Sequence, residues 1–358
     1  MKTSLYEQHL ELGAKMVDFA GWEMPIQYKN LKEEVQAVRD SVGVFDVSHM
    51  GEFFIDGPDA IKFVHELVTN DIEGASNLKA IYSPLCNDKG TIIDDLIVYK
   101  LTETKLMICV NAANIEKDLN WIKSQANSYD ITISDKSADY SLLAVQGPKT
   151  FETLCSLELG YKLDDIEYYS IQTPDLQTSA TPTLFARTGY TGEDGFEIFG
   201  PHDYIQNIWK QLIQAGVKPC GLGSRDVLRL EVCYPLYGHE LDDTVTPLDC
   251  ALKWTVKLNK NHFIGKAALS EYEPKFRLIK FTLDKGIPRE NYKILNSNQE
   301  EIGHVTSGTM SVVLNKGIAI ARVLKEKYNP EEQYLVEIRN KVLKIDITKK
   351  AFVSGGHK

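Results

Sequence analysis

The sequence predicts an α+β protein of more than one domain, on three observations. The chain has 358 residues, too many for one ordinary core, so two or three domains are expected. Residues 80–125 read as a meander of strands running into a helix, the pattern of an antiparallel sheet with helices on one side. From about residue 276 short strands follow one another with little helix between them. That reads as a separate all-β domain, a barrel or a sandwich, joined through the charged segment 270–276.

Each element has a local reason. In NLKEEVQAVRDS, residues 30–41, Val35 and Val38 form a short apolar stripe between charges, which predicts a helix. GVFDVSHMGEFFIDGPDA reads as strand-like, ending in a turn at Asp56-Gly57-Pro58. A helix then enters through Pro58, with Ile61, Phe63, Val64, Leu67 and Val68 on its apolar side. IYSPLC and TIIDDLIVYK flank Asn87-Asp88-Lys89-Gly90, a hairpin turn. LMICV is the next strand. NAANIEKDLNWIKSQA is a helix with Ile115, Leu119 and Ile122 on one face and Asn111 or Asn114 as its cap. Further on, LLAVQGPKTFETL gives a strand, a break at Gly147-Pro148 and a helix, and YIQNIWKQLIQAG is an amphipathic helix. GSRDVLRLEVCYPLYG gives a helix with Ser224 as N-cap, ended by Pro235.

Composition narrows the function. At 43% hydrophobic and 25% charged residues the chain is an ordinary soluble globular protein. A net charge of −10 and a sequence pI near 5.4 argue against a nucleic-acid partner. No apolar run reaches the roughly 18 residues of a membrane span. The first residues carry early acidic side chains and lack the apolar centre of a signal peptide, so a cytoplasmic protein is expected. The six cysteines are scattered without C-x-x-C, which suits free, largely buried thiols in a reducing compartment. The histidines form neither H-x-x-x-H nor H-E-x-x-H, so no metal site is predicted. Nucleotide-binding glycine loops are absent from the sequence.

Four stretches are unusual for pure structure. In GTIIDDLIVYK two aspartates interrupt a run of strand formers. Strand alternation puts Ile93, Asp95, Ile97 and Tyr99 on one face and Ile92, Asp94, Leu96 and Val98 on the other. Either both carboxylates are solvated near the turn or one enters a core, and alternation alone does not choose. In RTGYTGEDGFE, 187–197, a turn centred between Glu193 and Asp194 would set Tyr190 opposite Glu197; an ordinary hairpin with its own turn glycines fits as well. In GLGSRDVLRLE, Arg225 sits at a helix start, where the backbone dipole disfavours a cation, and Arg229 lies one turn on. The bland alternative is a surface network of Asp226, Arg229 and Glu231. The lone His49 of FDVSHMGE reads first as a hydrogen-bonded structural histidine. Together these side chains suit a planar polar heterocycle with an anionic tail. Lys257, Lys260 and Lys266 form a small basic cluster, either a solvated face or a surface for an acidic partner.

FDVSHMGE, IIDDLIVYK, VNAANIEKD, LAVQGPK, RTGYTGEDGFEI, PCGLGSRDVLRLE, PLYGHEL, FIGKAAL and VTSGT occur together and in this order. The set closely resembles the aminomethyltransferase (T protein) family of the glycine cleavage system, from AGWEMP at 20–25 to about residue 350. The resemblance implies a three-domain cloverleaf round a central folate-binding opening: residues 1–50 with 140–275 as a folate-binding core, 51–139 as an antiparallel sheet plus helices, and 276–358 as a C-terminal β-barrel domain. It implies transfer of the methylene carbon of an aminomethyl group from the dihydrolipoyl arm of H protein to tetrahydrofolate, with release of ammonia. It makes Asp95 the catalytic carboxylate. Asn111, Tyr190, Glu197 and Arg225 become folate-binding positions, with Tyr82, Met50 and Tyr234 as weaker candidates for the pocket wall. Tetrahydrofolate is the implied co-substrate, without a metal, and lipoylated H protein the implied partner. A folate-dependent demethylase or methyltransferase on a small donor is the alternative enzyme, and a folate-binding protein without this catalysis the non-enzymatic one. The K-G-C-Y-x-G-Q-E signature of such binding proteins is replaced here by EVCYPLYGHEL.

The sequence departs from the family pattern at Thr91 before the aspartate pair, at GSRD for GARD, at SVVLNK (311–316) for SPTLGK, and at its end, AFVSGGHK. Ser354 stands where the family carries a basic or phenolic group for the glutamate tail, which leaves His357 or Lys358 as substitutes.

Overall fold

The structure is a computed structural model that describes residues 1–339 and 341–356; His357 and Lys358 lie outside the described residues. The fold is α+β. The chain divides into two compact units. One comprises Met1–Ser83, Leu96–Asp226 and the C-terminal residues from Gly355. The other comprises Pro84–Asp95 and Val227–Ser354.

The first unit holds a six-stranded sheet in the order Ile171–Gln172, Leu184–Ala186, Gly195–Gly200, Ser141–Gln146, Gly43–Asp46, Lys218–Pro219. Its neighbours are antiparallel except for the last pair, which is parallel. Helix His202–Gln214 lays Ile205, Ile208, Trp209 and Leu212 into one core with Val44, Leu143, Val145, Phe196 and Ile198 of the strands. That packing follows from the three-to-four-residue spacing of the apolar side chains. A second sheet runs Lys79–Cys86, Ile92–Lys100, Lys105–Val110, Gly51–Asp56, Thr132–Asp135. Helices Ala60–Leu67 and Ile115–Ser124 accompany it in sequence.

In the second unit seven strands form an antiparallel sheet: Lys341–Lys344, Leu335–Ile338, Lys293–Leu295, Glu301–Met310, Gly317–Leu324, Phe276–Leu283, Asp346–Thr348. Alternate residues Ile279, Phe281 and Leu283 enter its core with Ala319, Ala321 and Val323. The strand-rich tail is therefore one all-β body. Among the described residues no helix is long and apolar enough to cross a membrane.

Several local expectations are corrected. The strand-like stretch 43–56 resolves into two strands, Gly43–Asp46 and Gly51–Asp56, because the Asp46 carboxylate accepts from Ser48 N at 2.9 Å and Ser48 Oγ at 2.6 Å and bends the chain. Neither Asn111 nor Asn114 provides a side-chain cap; a short 3₁₀ turn, Ala112–Asn114, leads into the helix instead. Helix Leu222–Glu231 begins before Ser224, so Ser224 is not its N-cap. Its hydroxyl instead donates to Glu34 Oε2 at 2.9 Å and to Gly221 O at 2.8 Å. Asn315, where the family pattern has glycine, takes a left-handed φ of 51°, a conformation asparagine tolerates.

The alternative of a surface network of Asp226, Arg229 and Glu231 does not hold for Arg229 and Glu231, which are buried. Arg229 is 1% exposed and binds Glu240 Oε2 at 3.0 Å, Ser307 Oγ at 2.8 Å and Tyr234 O at 3.1 Å. Glu231 is fully buried and accepts from Ser311 Oγ at 2.7 Å and the amide nitrogens of Val312 and Val313. The lysine cluster is not a simple solvated face either. Lys260 is 6% exposed, Lys266 Nζ donates to the carbonyls of Lys260 and Asn261, and Lys257 Nζ to that of Trp254.

Candidate active site

Segment 187–194 links strands Leu184–Ala186 and Gly195–Gly200. Most of its polar side chains have structural employment. Arg187 grips Asp194 with two bonds, Nε at 2.9 Å and Nη2 at 2.7 Å, which closes the two ends of the segment on each other. Arg39 donates to Thr191 O at 2.7 Å and Glu193 Oε1 at 2.8 Å. From the neighbouring strand Gln146 enters the segment: its Nε2 donates to Thr188 O at 3.0 Å and its Oε1 accepts from Thr191 Oγ1 at 2.9 Å. A Cβ at Gly189 or Gly195 would fall on the Gln146 carboxamide, so two glycines of the motif answer to this one side chain.

Tyr190 of this segment and Glu197 of the following strand are the two candidates the sequence offers here. They do not face each other across a ladder, because Glu197 pairs with Ala186 and Tyr190 lies in the loop. Glu197 is 7% exposed and accepts a hydrogen bond from Thr188 Oγ1 at 2.6 Å. Tyr190 lies under the Arg225 guanidinium, 5.0 Å from its ring centre to Cζ, a cation–π geometry. Arg225 is half-buried, and its Nη1 is enclosed with no hydrogen-bond partner among the described residues. Burial lowers its pKa, opposed by the negative charge of Glu197 and by Tyr190. Thus the arginine placed against the helix dipole is balanced by a carboxylate and an aromatic face rather than by a salt bridge in direct contact.

His49 lies in the same unit. It is 4% exposed, with its ring edge-to-face against Phe19 at 5.4 Å. Its Nδ1 has no hydrogen-bond partner among the described residues, which overturns the reading of a hydrogen-bonded structural histidine. Burial, aided by the Arg225 charge and opposed by Asp46, pushes its pKa down to about 4, so the ring is neutral at neutral pH.

The remaining sequence candidates are spread more widely. Met50, Tyr82 and Asn111 are half-buried in the first unit; Met50 N donates to Val47 O at 3.2 Å, and Asn111 O accepts from Asn114 N at 2.9 Å. Tyr234 is half-buried in the second unit, its amide bonded to Arg229 O at 2.9 Å. Asp95 is half-buried and Asp94 fully buried on strand Ile92–Lys100. Both carboxylates are therefore not simply solvated. The sequence reading weighed His49 and set it down as structural; it missed Thr188 as the partner of Glu197. Thr188 had a signal, since it opens the same TGY motif as Tyr190.

A buried carboxylate and a cation on an aromatic face are groups that a planar, polar small molecule could use. Comparison with known proteins makes this specific. Residues 5–260 match the model of the GCVT N-terminal domain, and residues 277–354 that of the glycine cleavage T-protein C-terminal barrel domain. The aminomethyltransferases of Thermosipho melanesiensis and Thermotoga maritima are each 46% identical, covering 99% of this chain and 98% of theirs. The crystal structure of glycine cleavage system aminomethyltransferase T from Bartonella henselae superposes with a TM-score of 0.93 at 28% identity, covering 100% of this chain and 99% of that one. The chain belongs to the glycine cleavage T-protein family of tetrahydrofolate-dependent aminomethyltransferases.

Proposed function

We propose that this enzyme moves the methylene carbon of the aminomethyl group on the dihydrolipoyl arm of H protein to tetrahydrofolate, giving methylene-tetrahydrofolate, ammonia and the free arm. Full-length similarity to aminomethyltransferases is the observation that carries this reading. The donor set supports it. Glu197 suits adjacent N–H groups at the edge of a pterin, Tyr190 its face, and the cationic Arg225 an electron-rich part of the ring. Asn111, Tyr82, Met50 and Tyr234 complete the proposed folate-binding set. The proposed division into 1–50 with 140–275, 51–139 and 276–358 goes with this reading, as does action in the cytoplasm.

Asp95 is the proposed catalytic residue. Its carboxylate, while charged, stabilises positive charge on the carbon as the bond to ammonia breaks, then accepts the proton of the first folate nitrogen as that nitrogen bonds to the carbon; attack by the second folate nitrogen breaks the carbon–sulfur bond, and the departing arm sulfur takes up a proton. Neither the arm nor the folate is oxidised, so no electron carrier is needed. Asp95→Asn should leave folding and folate binding intact and lower turnover by about 10²–10⁴-fold. The assay supplies aminomethyl-loaded H protein and tetrahydrofolate and reads ammonia. Near-normal turnover of Asp95→Asn removes the role given to Asp95. Turnover on a small methyl donor, with none on loaded H protein, replaces this function with the demethylase alternative.

A further inference from the structure

Besides the side chains that brace it, the loop that carries Tyr190 is held by a backbone contact from far along the chain. Gly356 N donates to Gly192 O at 2.8 Å. The segment from Gly355 belongs to the same compact unit as this loop. The fit around the contact is close. A Cβ at Gly356 would fall on Glu193 Oε2. Glu193 is 8% exposed and its Oε1 holds Arg39 Nη1 at 2.8 Å, so its carboxylate cannot withdraw without giving up that ion pair. Position 356 therefore needs a residue with a backbone amide and no side chain.

The other braces differ in kind. Gln146, Arg187 and Arg39 act through side chains of buried or half-buried residues, whereas Gly356 is exposed. Ordering an exposed stretch of backbone costs about as much as one hydrogen bond returns, so its docking is finely balanced and responds to what else the loop holds. Tyr190 lies two residues from Gly192 and keeps accessible surface. Where its ring sits depends on the path of the backbone on either side. The geometry points to Gly355–Gly356 as a strap that positions the Tyr190 loop for ligand: docked on Gly192 and Glu193, it holds the loop in the shape that meets the pteridine face. The strap touches no ligand itself. Gly356 is a positioning residue that acts through Tyr190. Coupling of this kind runs both ways, so bound ligand also holds the strap in place.

This inference rests on the folate reading, and the test separates the two. A stable probe, 5-formyl-tetrahydrofolate, is titrated calorimetrically into wild type, into Gly356→Pro, which lacks the donating N–H, and into Gly356→Ala, whose methyl meets the Glu193 carboxylate. Both variants should bind about fivefold more weakly or worse. Their melting temperatures should stay close to wild type, because the position is exposed. In a Tyr190→Ala background Gly356→Pro should cost little further affinity, since strap and ring act as one unit. In wild type, saturating probe should slow hydrogen exchange of the Gly356 amide. Wild type that does not bind the probe overturns the folate reading and this inference with it. Wild-type binding that either Gly356 variant leaves unchanged overturns the inference alone. So does a loss that adds in full to that of Tyr190→Ala, and so does a Gly356 amide whose exchange the bound probe does not slow. The exchange measurement needs no variant, so it decides the matter even where a substitution unfolds the protein.

Discussion

Gln146 occupies the space that a side chain at Gly189 would need. The carboxamide is fully buried and held from both ends by Thr188 O and Thr191 Oγ1, so it cannot swing aside without breaking two hydrogen bonds. Gly189→Ala should therefore destabilise the protein by about 1–3 kcal/mol, the usual cost of overfilling a packed interior. Thermal unfolding reads this directly. Shortening the intruding side chain in the double variant Gly189→Ala/Gln146→Ala should return part of the loss, because the two changes share one space. A double variant that is simply the sum of the two singles would show that the clash is relieved some other way.

Arg225 and Arg229 are one helical turn apart and equivalent by pattern, yet they answer to different physics. Arg229 is wholly buried and closes an ion pair with Glu240 that Ser307 completes. Arg229→Met leaves the Glu240 carboxylate buried without that cation, and should lose about 3–5 kcal/mol of stability. Arg225 has its Nη1 unsatisfied and stacks on Tyr190. Arg225→Met should weaken binding of 5-formyl-tetrahydrofolate out of proportion to any fall in melting temperature. Equal stability losses in the two variants would erase the distinction.

How much of this was legible in the sequence follows the range of the interactions. Apolar period and turn residues placed the strand pair round Asn87-Asp88-Lys89-Gly90 and the helix at 202–214, because those signals are local. Motif order was enough to resemble the family. Contacts distant in sequence stayed invisible. Nothing near Gly189 shows that Gln146 will enter its loop, and nothing near Arg229 shows Glu240 and Ser307 waiting. The assumed ladder opposing Tyr190 to Glu197 failed because the Arg187–Asp194 clamp makes a loop where a tight hairpin was expected. His49 was misread because a histidine's partners, or its lack of one at Nδ1, are a property of the fold and not of its neighbours in the chain.

The aspartate pair on strand Ile92–Lys100 should divide by phenotype. Asp94 is completely buried, unlike half-exposed Asp95, so its environment has been built to hold a carboxylate. Asp94→Asn trades an acceptor oxygen for an amide donor inside that environment and should cost about 1–3 kcal/mol, read as a lower denaturant midpoint. Asp95→Asn should leave the midpoint nearly unchanged. An unaltered midpoint for Asp94→Asn would mean that its surroundings accept an amide equally well.

Glu52, on strand Gly51–Asp56, is 1% exposed, and burial, reinforced by the negative charge of Asp135, pushes its pKa well above the usual carboxylate range. The folded protein therefore holds a proton on Glu52 at pH values where the unfolded chain, with an ordinary pKa of about 4.3, has released it. Between those two pKa values the native state binds more protons, so stability falls as pH rises through that window. The penalty is absent in acid and grows as pH rises above the unfolded value. Glu52→Gln keeps the shape and removes the ionisable group. Its melting temperature should match or fall slightly below that of wild type near pH 4 and exceed it at pH 7, the difference growing with pH. Melting curves across that range test the sign. A glutamine variant less stable than wild type at pH 7 would show that Glu52 works as an anion in the folded protein, and would shift attention to what holds its charge.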